Sequence, residues 1–337
     1  MFAVISDTHF GIKNFNREIL DSHLSYFKNV FFKYLLDHNL KLVFHLGESV
    51  DDRQLIDYYS MNRVQEEFLD FFENNSIKLY LILGNHDLFY KNDSSINCLS
   101  LTKNYKMIVP VKKSLTVIED NLTFNLVSHG EIIPNVKADF LLTHTDTEIL
   151  DNKEALNNNN RILSGHIHKP ITISNNNTRV TFVGVPYHLD WSNFNTEVGF
   201  YLYDETKDSL SLISNNYSPK FIKIYYSNNE STVEGIPNVS KMNDSELINL
   251  IHNNYCKVYL KDNLSAKKFQ LFQDTIINSI NDIHFEFTEV PVDTENFTIK
   301  IDNSNILDIV SSYFDKTKNP KAKEIKQLFV DKFNQFI

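Results

Sequence analysis

The chain of 337 residues is long enough for one large domain and a smaller one, and too short for more than three. Hydrophobic residues make up 42% and charged residues 23%, which excludes a disordered, collagen-like or low-complexity protein. The net charge of −10 argues against a free-standing nucleic-acid coat, although an enzyme that holds phosphate through metal ions can carry such a charge.

The first hundred residues alternate apolar strands with amphipathic helices. Strands are predicted at residues 2–6, 42–46 and 79–83, and helices at residues 17–36 and 58–72, where apolar side chains recur at helical spacing. A strand–helix–strand–helix–strand order is typical of an α/β fold with parallel strand pairing.

Beyond residue 107 the pattern changes to short strands with few helices. A second, more antiparallel sheet stacked on the first is therefore expected. Seven of the eight glycines precede residue 200, which favours a domain boundary soon after a strand at 210–213. The strands predicted for the second sheet are 115–118, 123–127, 140–143, 162–164, 181–183 and 199–203.

The remainder is predicted to form a smaller α/β unit followed by two helices. Strands are expected at 221–226, 257–260 and 285–288, with a helix capped by Ser265 between the last two. The final helix begins at Asn319-Pro320, and its apolar stripe is either core or a docking face. The lysines around it form either a solvated face or a contact with DNA or a partner protein. The stripe consists of Ile325, Leu328, Phe329 and Phe333.

Cysteine usage and hydropathy indicate the compartment. Cys98 and Cys256 are too few for a disulfide framework or a thiolate metal cluster, and no apolar run approaches 18 residues. The first residues do not resemble a secretory signal. We therefore predict a soluble protein of a reducing compartment such as the cytoplasm.

Chemically active side chains follow the predicted strands at five places. Each place is the carboxyl end of an apolar strand, where the sheets of α/β proteins open a crevice for ligands. The segments are Asp7-Thr8-His9, Gly47-Glu48, Gly84-Asn85-His86-Asp87, His144 and Gly165-His166-Ile167-His168.

These side chains are predicted to form a metal site. Their carboxylate, amide and imidazole donors suit Mn²⁺, Fe²⁺ or Mg²⁺ better than a structural zinc. Asp7 and His9 stand two residues apart, as do His166 and His168, and on extended backbone each pair projects to one side. Seven donors are too many for one ion and suit two ions that share a carboxylate, an arrangement that clamps a phosphate and activates a water molecule.

Taken together, the five motifs resemble those of the calcineurin-like metallophosphoesterase superfamily. The whole-chain layout is similar to its SbcD-type branch, the double-strand-break repair nuclease subunits, and within it to the phage recombination endonuclease subunits. The similarity extends to about residue 215 and includes a closing turn at Gly184-Val185-Pro186. It implies a four-layer αββα sandwich in residues 1–215, a small α/β capping domain in 216–302 and a C-terminal helix pair in 303–337 that docks an ATPase.

The resemblance also implies a role for each site residue. Glu48 stands at the position of the carboxylate that bridges the two ions. His86 would contact the scissile phosphate and stabilise charge or protonate the leaving oxygen, and Asp87 would orient it. The ligand sets are Asp7, His9 and His168 for one ion and Asn85, His144 and His166 for the other.

Two positions depart from the family pattern. Glu48 replaces the usual Asp at the bridging position and is one methylene longer. A His that the branch often carries shortly after that carboxylate, where it positions DNA for exonuclease work, is replaced by Asp51. The sequence therefore does not predict exonuclease polarity.

Other polar residues near the motifs are discounted. His45 lies inside an apolar strand and is expected to be a core histidine. His129 and His188 either approach the cleft or, as we favour, are ordinary loop residues, while Asp51 and Asp52 either support a metal ligand or are solvated.

The sequence thus predicts a Mn²⁺-dependent DNA exonuclease and endonuclease subunit that acts in recombination and double-strand-break processing. No G-x-x-x-x-G-K-[ST] motif is present, so ATP dependence would come from a partner, an SbcC-type SMC-like ATPase in the implied complex. The resemblance suggests a homodimer formed through residues 58–72, and no membrane contact is expected. Two alternatives are a stand-alone phosphoesterase for small nucleotides or phosphoproteins, and a non-enzymatic scaffold whose altered bridging position has abolished catalysis.

Overall fold

Most strands and helices predicted from the apolar pattern are present in the computed structural model. It describes residues 1–91, 93–175, 178–226, 231–236, 244–260 and 286–289, together with Gln327. In chain order the strands are β1 (Phe2–Ile5), β2 (Leu42–His45), β3 (Lys78–Ile82), β4 (Leu88–Tyr90), β5 (Asp93–Asn97), β6 (Ile108–Val111), β7 (Ser114–Glu119), β8 (Leu122–Val127), β9 (Ala138–Thr143), β10 (Asn159–Ser164), β11 (Ile171–Asn175), β12 (Thr178–Phe182), β13 (Gly199–Asp204), β14 (Ser209–Ser214), β15 (Phe221–Tyr226), β16 (Thr232–Glu234), β17 (Tyr255–Leu260) and β18 (Glu286–Glu289).

Four helices of six or more residues accompany these strands in the described part of the chain. Two of them, α1 and α2, contain a π-helical middle segment. Asn16 caps the start of α1 by accepting a hydrogen bond from the backbone N–H of Ile19 at 3.0 Å, and Asp57 caps α2 in the same way through Ser60. None of these helices is long and apolar enough to span a membrane. They are α1 (Arg17–Tyr26, Phe27–Phe31 and Phe32–Asp37), α2 (Tyr58–Val64, Gln65–Leu69 and Asp70–Asn74), α3 (Lys153–Asn158) and α4 (Asp244–His252).

The first sheet has six strands in the order β14-β13-β1-β2-β3-β6. Pairing is parallel from β1 through β6, and antiparallel where β13 joins β1 and β14 joins β13. Every residue of β1 and β2 is buried, as expected for strands covered on both faces.

The second sheet has the order β11-β12-β10-β9-β8-β7 and packs face to face with the first. Its inner strands β12, β10, β9 and β8 are parallel, and its two edge strands are antiparallel. Phe2 and Phe44 of the first sheet meet Phe124 and Phe140 of the second, with the rings of Phe2 and Phe124 centred 5.2 Å apart.

Helices cover the outer faces of both sheets. On the first, Phe27 of α1 and Phe68 of α2 have ring centroids 4.7 Å apart and pack over Val43 and Leu79. On the second, Ala155 of α3 packs against Leu141. The four layers α–β–β–α confirm the predicted sandwich.

Strand β13 corrects the predicted division between the sheets. It was assigned to the second sheet, yet it pairs with β1 in the first. The second sheet is also not more antiparallel than the first, as was expected, because each sheet has three parallel and two antiparallel pairings. Phe200 packs towards the helices and Tyr201 between the sheets, so both faces of β13 are buried, and such a pattern does not reveal which sheet a strand joins.

Several short elements were not predicted. The hairpin β4–β5 is mostly polar, and β6 contains Pro110, which is tolerated because β6 is an edge strand bonded only to β3. Strands β11 and β16 and helix α4 were also missed, since short or polar segments give little periodic signal.

A smaller sheet with the order β16-β15-β17-β18 follows in the chain. Ile222 and Val258 from its strands pack against Leu247 and Ile251 of α4, which gives it a core of its own. Contacts divide the chain into the units Met1–Glu289 and Val290–Ile337. The domain boundaries at 215 and 302 stay predictions, and the helix after Ser265, the tail helix pair and its apolar stripe lie outside the described residues.

Candidate metal centre

Five loops at the carboxyl ends of β1, β2, β3, β9 and β10 bring the predicted site residues together. Parallel strands of one sheet end at the same edge, and the face-to-face packing places both edges side by side. The loops carry Asp7 and His9, Glu48, Asn85 with His86 and Asp87, His144, and His166 with His168.

The backbone of these loops is not extended, which corrects the reason given for their side-chain directions. Asp7, His9, Glu48 and His166 have φ angles of 53°, 44°, 54° and 75°, in the left-handed region. Left-handed non-glycine residues are uncommon and cluster at functional sites. Turns, and not strand alternation, therefore aim these side chains at one another.

Glycines let the loops approach closely. A Cβ on Gly84 would overlap the backbone nitrogen of Glu48, and one on Gly165 would lie 2.6 Å from the carbonyl oxygen of Leu46. Gly47 has φ +93° and also contacts Gly84. The glycine that opens three of the five motifs thus permits the contact between neighbouring loops.

Glu48 lies at the centre of the site with 2% of its surface exposed. Its Oε2 atom is 2.9 Å from His9 Nε2 and 3.6 Å from His168 Nε2. Its Oε1 atom is 3.4 Å from His144 Nε2 and 3.8 Å from His166 Nδ1. The two oxygens of one carboxylate therefore face the two predicted ligand sets.

The remaining predicted ligands complete these sets. Asp7 is fully buried and accepts a hydrogen bond from the backbone N–H of His166 at 3.1 Å. The Asn85 Oδ1 atom is 3.0 Å from His144 Nε2. Donor atoms that lie within 4.8 Å of one another form three groups: Asp7, His9, Glu48 and His168; Glu48, His144 and His166; and His9, Asp51 and His86.

The donor set fits two divalent cations. Among the described residues, His166 Nδ1 is buried without a hydrogen-bond partner, and His9 Nε2 lies 3.2 Å from His168 Nε2. An imidazole nitrogen buried without a partner is costly unless a ligand satisfies it. With a cation bound, both nitrogens of the close pair would be deprotonated and would hold it as histidine metal ligands do.

The pKa values of the buried carboxyl and imidazole groups also indicate a site that binds positive charge. Burial raises the pKa of Asp7 to about 6, because its charge is removed from water. Burial alone would lower the pKa of His9, but hydrogen bonds with Asp51 and Glu48 raise it to about 10. Burial also opposes ionisation of Glu48, yet the four imidazoles that face it, those of His144, His166, His168 and His9, hold its pKa well below its usual range. The charged form of these buried carboxylates is therefore stable only beside positive charge, which protons on the histidines or bound metal ions can supply.

His86 lies at the rim of the centre, with about a third of its side chain exposed. Its Nδ1 atom is 2.6 Å from the carbonyl oxygen of Asp51, and its Nε2 atom is 3.9 Å from Glu48 Oε1. Because a carbonyl only accepts, Nδ1 is the donor and Nε2 faces the centre.

Asp87 does not orient His86, contrary to the predicted role. Its carboxylate accepts hydrogen bonds from the backbone N–H groups of Gly84, Glu48 and Ser49 at 2.8, 2.7 and 2.9 Å. Ser49 Oγ donates to it as well, at 2.7 Å. Asp87 therefore fixes the loop that carries Glu48, while the Asp51 carbonyl fixes His86.

The discounted residues fall into two groups. His45 is a core histidine as expected, since it is fully buried and its Nε2 atom lies 3.0 Å from Thr8 Oγ1. Burial lowers the pKa of its imidazole to about 3. Asp51 supports a predicted ligand, because its Oδ1 atom is 3.0 Å from His9 Nδ1. Asp52 caps an exposed turn, and His188 bonds with Thr196 away from the centre.

One supporting residue was missed by the sequence reasoning, and another was judged less important than it is. Tyr187, the missed residue, is buried and donates its hydroxyl to the carbonyl of Thr8 at 2.6 Å, so it fixes the first loop. It directly follows the turn Gly184-Val185-Pro186, and that turn was the signal in the sequence that could have revealed it. His129, for which a loop position was favoured over one near the cleft, bonds with the carbonyl of His144 at 3.1 Å and flanks the centre.

The chain belongs to the calcineurin-like phosphoesterase family, whose model matches residues 1–175. Exonuclease subunit 1 of Enterobacteria phage T4 is 24% identical over 232 residues, which cover 63% of this chain and 67% of that protein. Among solved structures, an archaeal phosphodiesterase matches at 15% identity and a TM-score of 0.39, over 64% of this chain and 99% of its own. Vps29 of Entamoeba histolytica complexed with Zn²⁺ matches at 14% identity and a TM-score of 0.32, over 69% and 89%.

Proposed function

We propose that this chain is the nuclease subunit of a DNA-processing complex, a Mn²⁺-dependent phosphodiesterase that cuts DNA by exonuclease and endonuclease action in recombination and double-strand-break processing. Its family supports hydrolysis of phosphoester bonds with divalent metal ions. The phage T4 relative is named an exonuclease subunit, which supports DNA as substrate and a partner subunit.

The position of Glu48 is the observation that carries this proposal. One carboxylate with an oxygen turned to each of two histidine-rich groups is the arrangement that two neighbouring cations require. In the proposed assignment one cation is held by Asp7, His9 and His168, the other by Asn85, His144 and His166, and Glu48 bridges them. When bound, the cations supply positive charge that clamps a phosphodiester and activates water for in-line attack.

His86 acts on the phosphate and not on the metal ions in this proposal. Its Nδ1 hydrogen is held by the Asp51 carbonyl at 2.6 Å, which fixes the ring so that Nε2 faces the space above Glu48. From there a protonated Nε2 either donates a hydrogen bond to a phosphate oxygen and stabilises its charge, or gives its proton to the leaving oxygen.

The proposed partners are DNA and an SbcC-type SMC-like ATPase, in the cytoplasm of the cell that expresses the chain. A second copy would bind through α2 and the loop before it. Leu55, Ile56 and Tyr58 of that region are 64%, 54% and 89% exposed. An exposed apolar patch of this kind is a frequent feature of protein interfaces.

The test is a nuclease assay of the purified chain with Mn²⁺, with and without an SbcC-type ATPase from the same genome. Degradation of linear DNA that requires Mn²⁺ and is stimulated by ATP only when the ATPase is present supports the proposal. Hydrolysis of a cyclic nucleotide without any cleavage of DNA would favour a small-substrate phosphoesterase. Fewer than two bound metal ions per chain and no hydrolysis would favour a scaffold.

A further inference from the structure

A polar pocket of about 290 Å³ lies beside the metal centre and is not used by the mechanism above. One wall comes from the β4–β5 hairpin, which begins directly after Asp87, and contributes Lys91, Asp93 and Ser94. The other wall is the segment His129-Gly130-Glu131 after β8.

This pocket shares His129 with the surroundings of the centre. His129 Nδ1 lies 3.1 Å from the carbonyl oxygen of His144, and its ring centroid is 5.9 Å from that of His144 and 6.2 Å from that of His166. A group in the pocket is therefore adjacent to one proposed cation site. A phosphodiester held at the centre would bring the flanking nucleotide to this place.

The walls of the pocket are fixed by hydrogen bonds. The backbone N–H of His129 donates to the carbonyl of Leu83 at 2.8 Å, and the N–H of Glu131 donates to Ser128 at 3.1 Å. Ser94 Oγ donates to Glu131 Oε1 at 3.1 Å and so links the two walls. This bond leaves the second carboxylate oxygen of Glu131 as an acceptor.

The charge of the lining residues determines which chemical groups can bind in the pocket. Glu131 and Asp93 are carboxylates and Lys91 is the one basic lining residue, so a second phosphate would be repelled. A base that presents amino hydrogens would be attracted, because carboxylates accept hydrogen bonds from such groups in nucleic-acid recognition.

We propose that this pocket binds the base next to the cleaved phosphodiester and that Glu131 favours bases with an exocyclic amine, namely cytosine, adenine and guanine, over thymine. The inference rests on the proposed function, since it assumes a nucleotide substrate. Glu131 acts here as a specificity-determining residue and does not contact the cleaved bond.

Five chromogenic phosphodiesters test the proposal with the full chain and Mn²⁺. The p-nitrophenyl esters of deoxycytidine monophosphate and thymidine monophosphate, in both the 5′ and 3′ series, carry one base, and bis(p-nitrophenyl) phosphate carries none. In one of the two series, wild type should show a kcat/KM for the cytidine ester about tenfold above that for the thymidine ester. Glu131→Ala should remove this preference and leave hydrolysis of the base-free diester unchanged.

Two further variants complete the design. Ser94→Ala, which frees the Glu131 carboxylate from its orienting bond, should reduce the preference in part. Glu154→Ala, an exposed carboxylate on α3 outside the pocket, should retain it. Equal kcat/KM for the cytidine and thymidine esters in both series in wild type, or an equal loss on all five diesters in Glu131→Ala, would overturn the inference. A wild type that hydrolyses none of the diesters would instead contradict the proposed function.

Discussion

The carboxylate of Asp87 accepts a hydrogen bond from the backbone N–H of Glu48 at 2.7 Å, so the last residue of the third motif fixes the residue proposed to bridge the ions. The same carboxylate holds the next residue, Ser49, through both its backbone and its hydroxyl. Glu48 has a left-handed backbone with φ of 54°, and these bonds stabilise that uncommon conformation.

Replacing Asp87 should therefore loosen the metal centre without removing a ligand. In Asp87→Asn the side chain keeps one acceptor oxygen and turns an amide N–H₂ towards backbone N–H groups, so at least one hydrogen bond is lost. We expect Mn²⁺ affinity measured by calorimetry to fall about tenfold, as for other residues that hold metal ligands in place. Asp204→Asn removes a carboxylate that accepts from Thr206 far from the centre, and should bind Mn²⁺ as wild type does. Unchanged affinity in Asp87→Asn would contradict this role.

His86→Ala should keep its metal ions and lose most cleavage. The ring is absent from both proposed ligand sets, so metal content measured by mass spectrometry should stay at the wild-type value. Loss of a positioned donor to the phosphate should lower kcat by about a hundredfold or more. By contrast, His168→Ala or Asn85→Ala should lower the metal content. Loss of metal ions from His86→Ala would show that the assignment of His86 is wrong.

Glu48→Gln and Glu48→Asp separate charge from length at the bridging position. A neutral amide cannot balance two divalent ions, so Glu48→Gln should lose one ion and nearly all cleavage. Asp restores the family's usual residue, and the longer Glu has one more torsion to fix, at a cost of about 0.5 kcal/mol. Glu48→Asp should therefore keep at least part of the activity. Wild-type cleavage by Glu48→Gln would refute the bridging role.

Acid should destabilise the chain through its buried histidines. Burial lowers the pKa of His23 to about 3, against about 6.5 in the unfolded chain. Between these values the unfolded state binds more protons than the folded state, so the free energy of unfolding falls as pH falls through 6.5. At pH 5 His23 should account for about 2 kcal/mol of this loss.

Urea unfolding of the metal-free chain between pH 7 and 5 measures this effect. His23 stacks on Tyr187 with ring centroids 3.6 Å apart, so His23→Phe keeps an aromatic contact while removing the titrating group. Between pH 7 and 5, the free energy of unfolding of His23→Phe should fall by about 2 kcal/mol less than that of wild type. His38→Phe is the matched control, because His38 is exposed and stacks on Tyr34 at 3.9 Å. Equal pH dependence in His23→Phe and wild type would rule out this contribution.

Much of the sandwich could be predicted because its inner strands are short, apolar and covered on both faces. Leu42–His45 and Ala138–Thr143 are almost entirely buried, and the motif residues follow such strands directly. Burial alone does not say which sheet a strand joins, and this is why Gly199–Asp204 was placed in the wrong one. The strand that contains Pro110 was also not predicted. Proline is tolerated there because the strand lies at the edge of the sheet, and a strand's position in a sheet cannot be read from its own sequence.

At the site, the sequence predicts which residues take part, but not their backbone conformations or their hydrogen-bond partners. The donor residues were identified from the motifs, but the left-handed turns at Asp7 and His166 leave no mark in the sequence, because Asp and His tolerate that region. Asp87 was paired with its neighbour His86 along the chain. It bonds instead to the loop of Glu48, 39 residues away, and this contact depends on the packing of β2 beside β3.

Electron paramagnetic resonance of the wild-type chain titrated with Mn²⁺ tests the central claim most directly. Two Mn²⁺ ions joined by the Glu48 carboxylate should give an exchange-coupled spectrum that develops fully at two ions per chain. In Glu48→Gln only the six-line spectrum of isolated Mn²⁺ should remain. A wild-type chain that binds a single Mn²⁺, or two ions with uncoupled six-line spectra, would contradict the account.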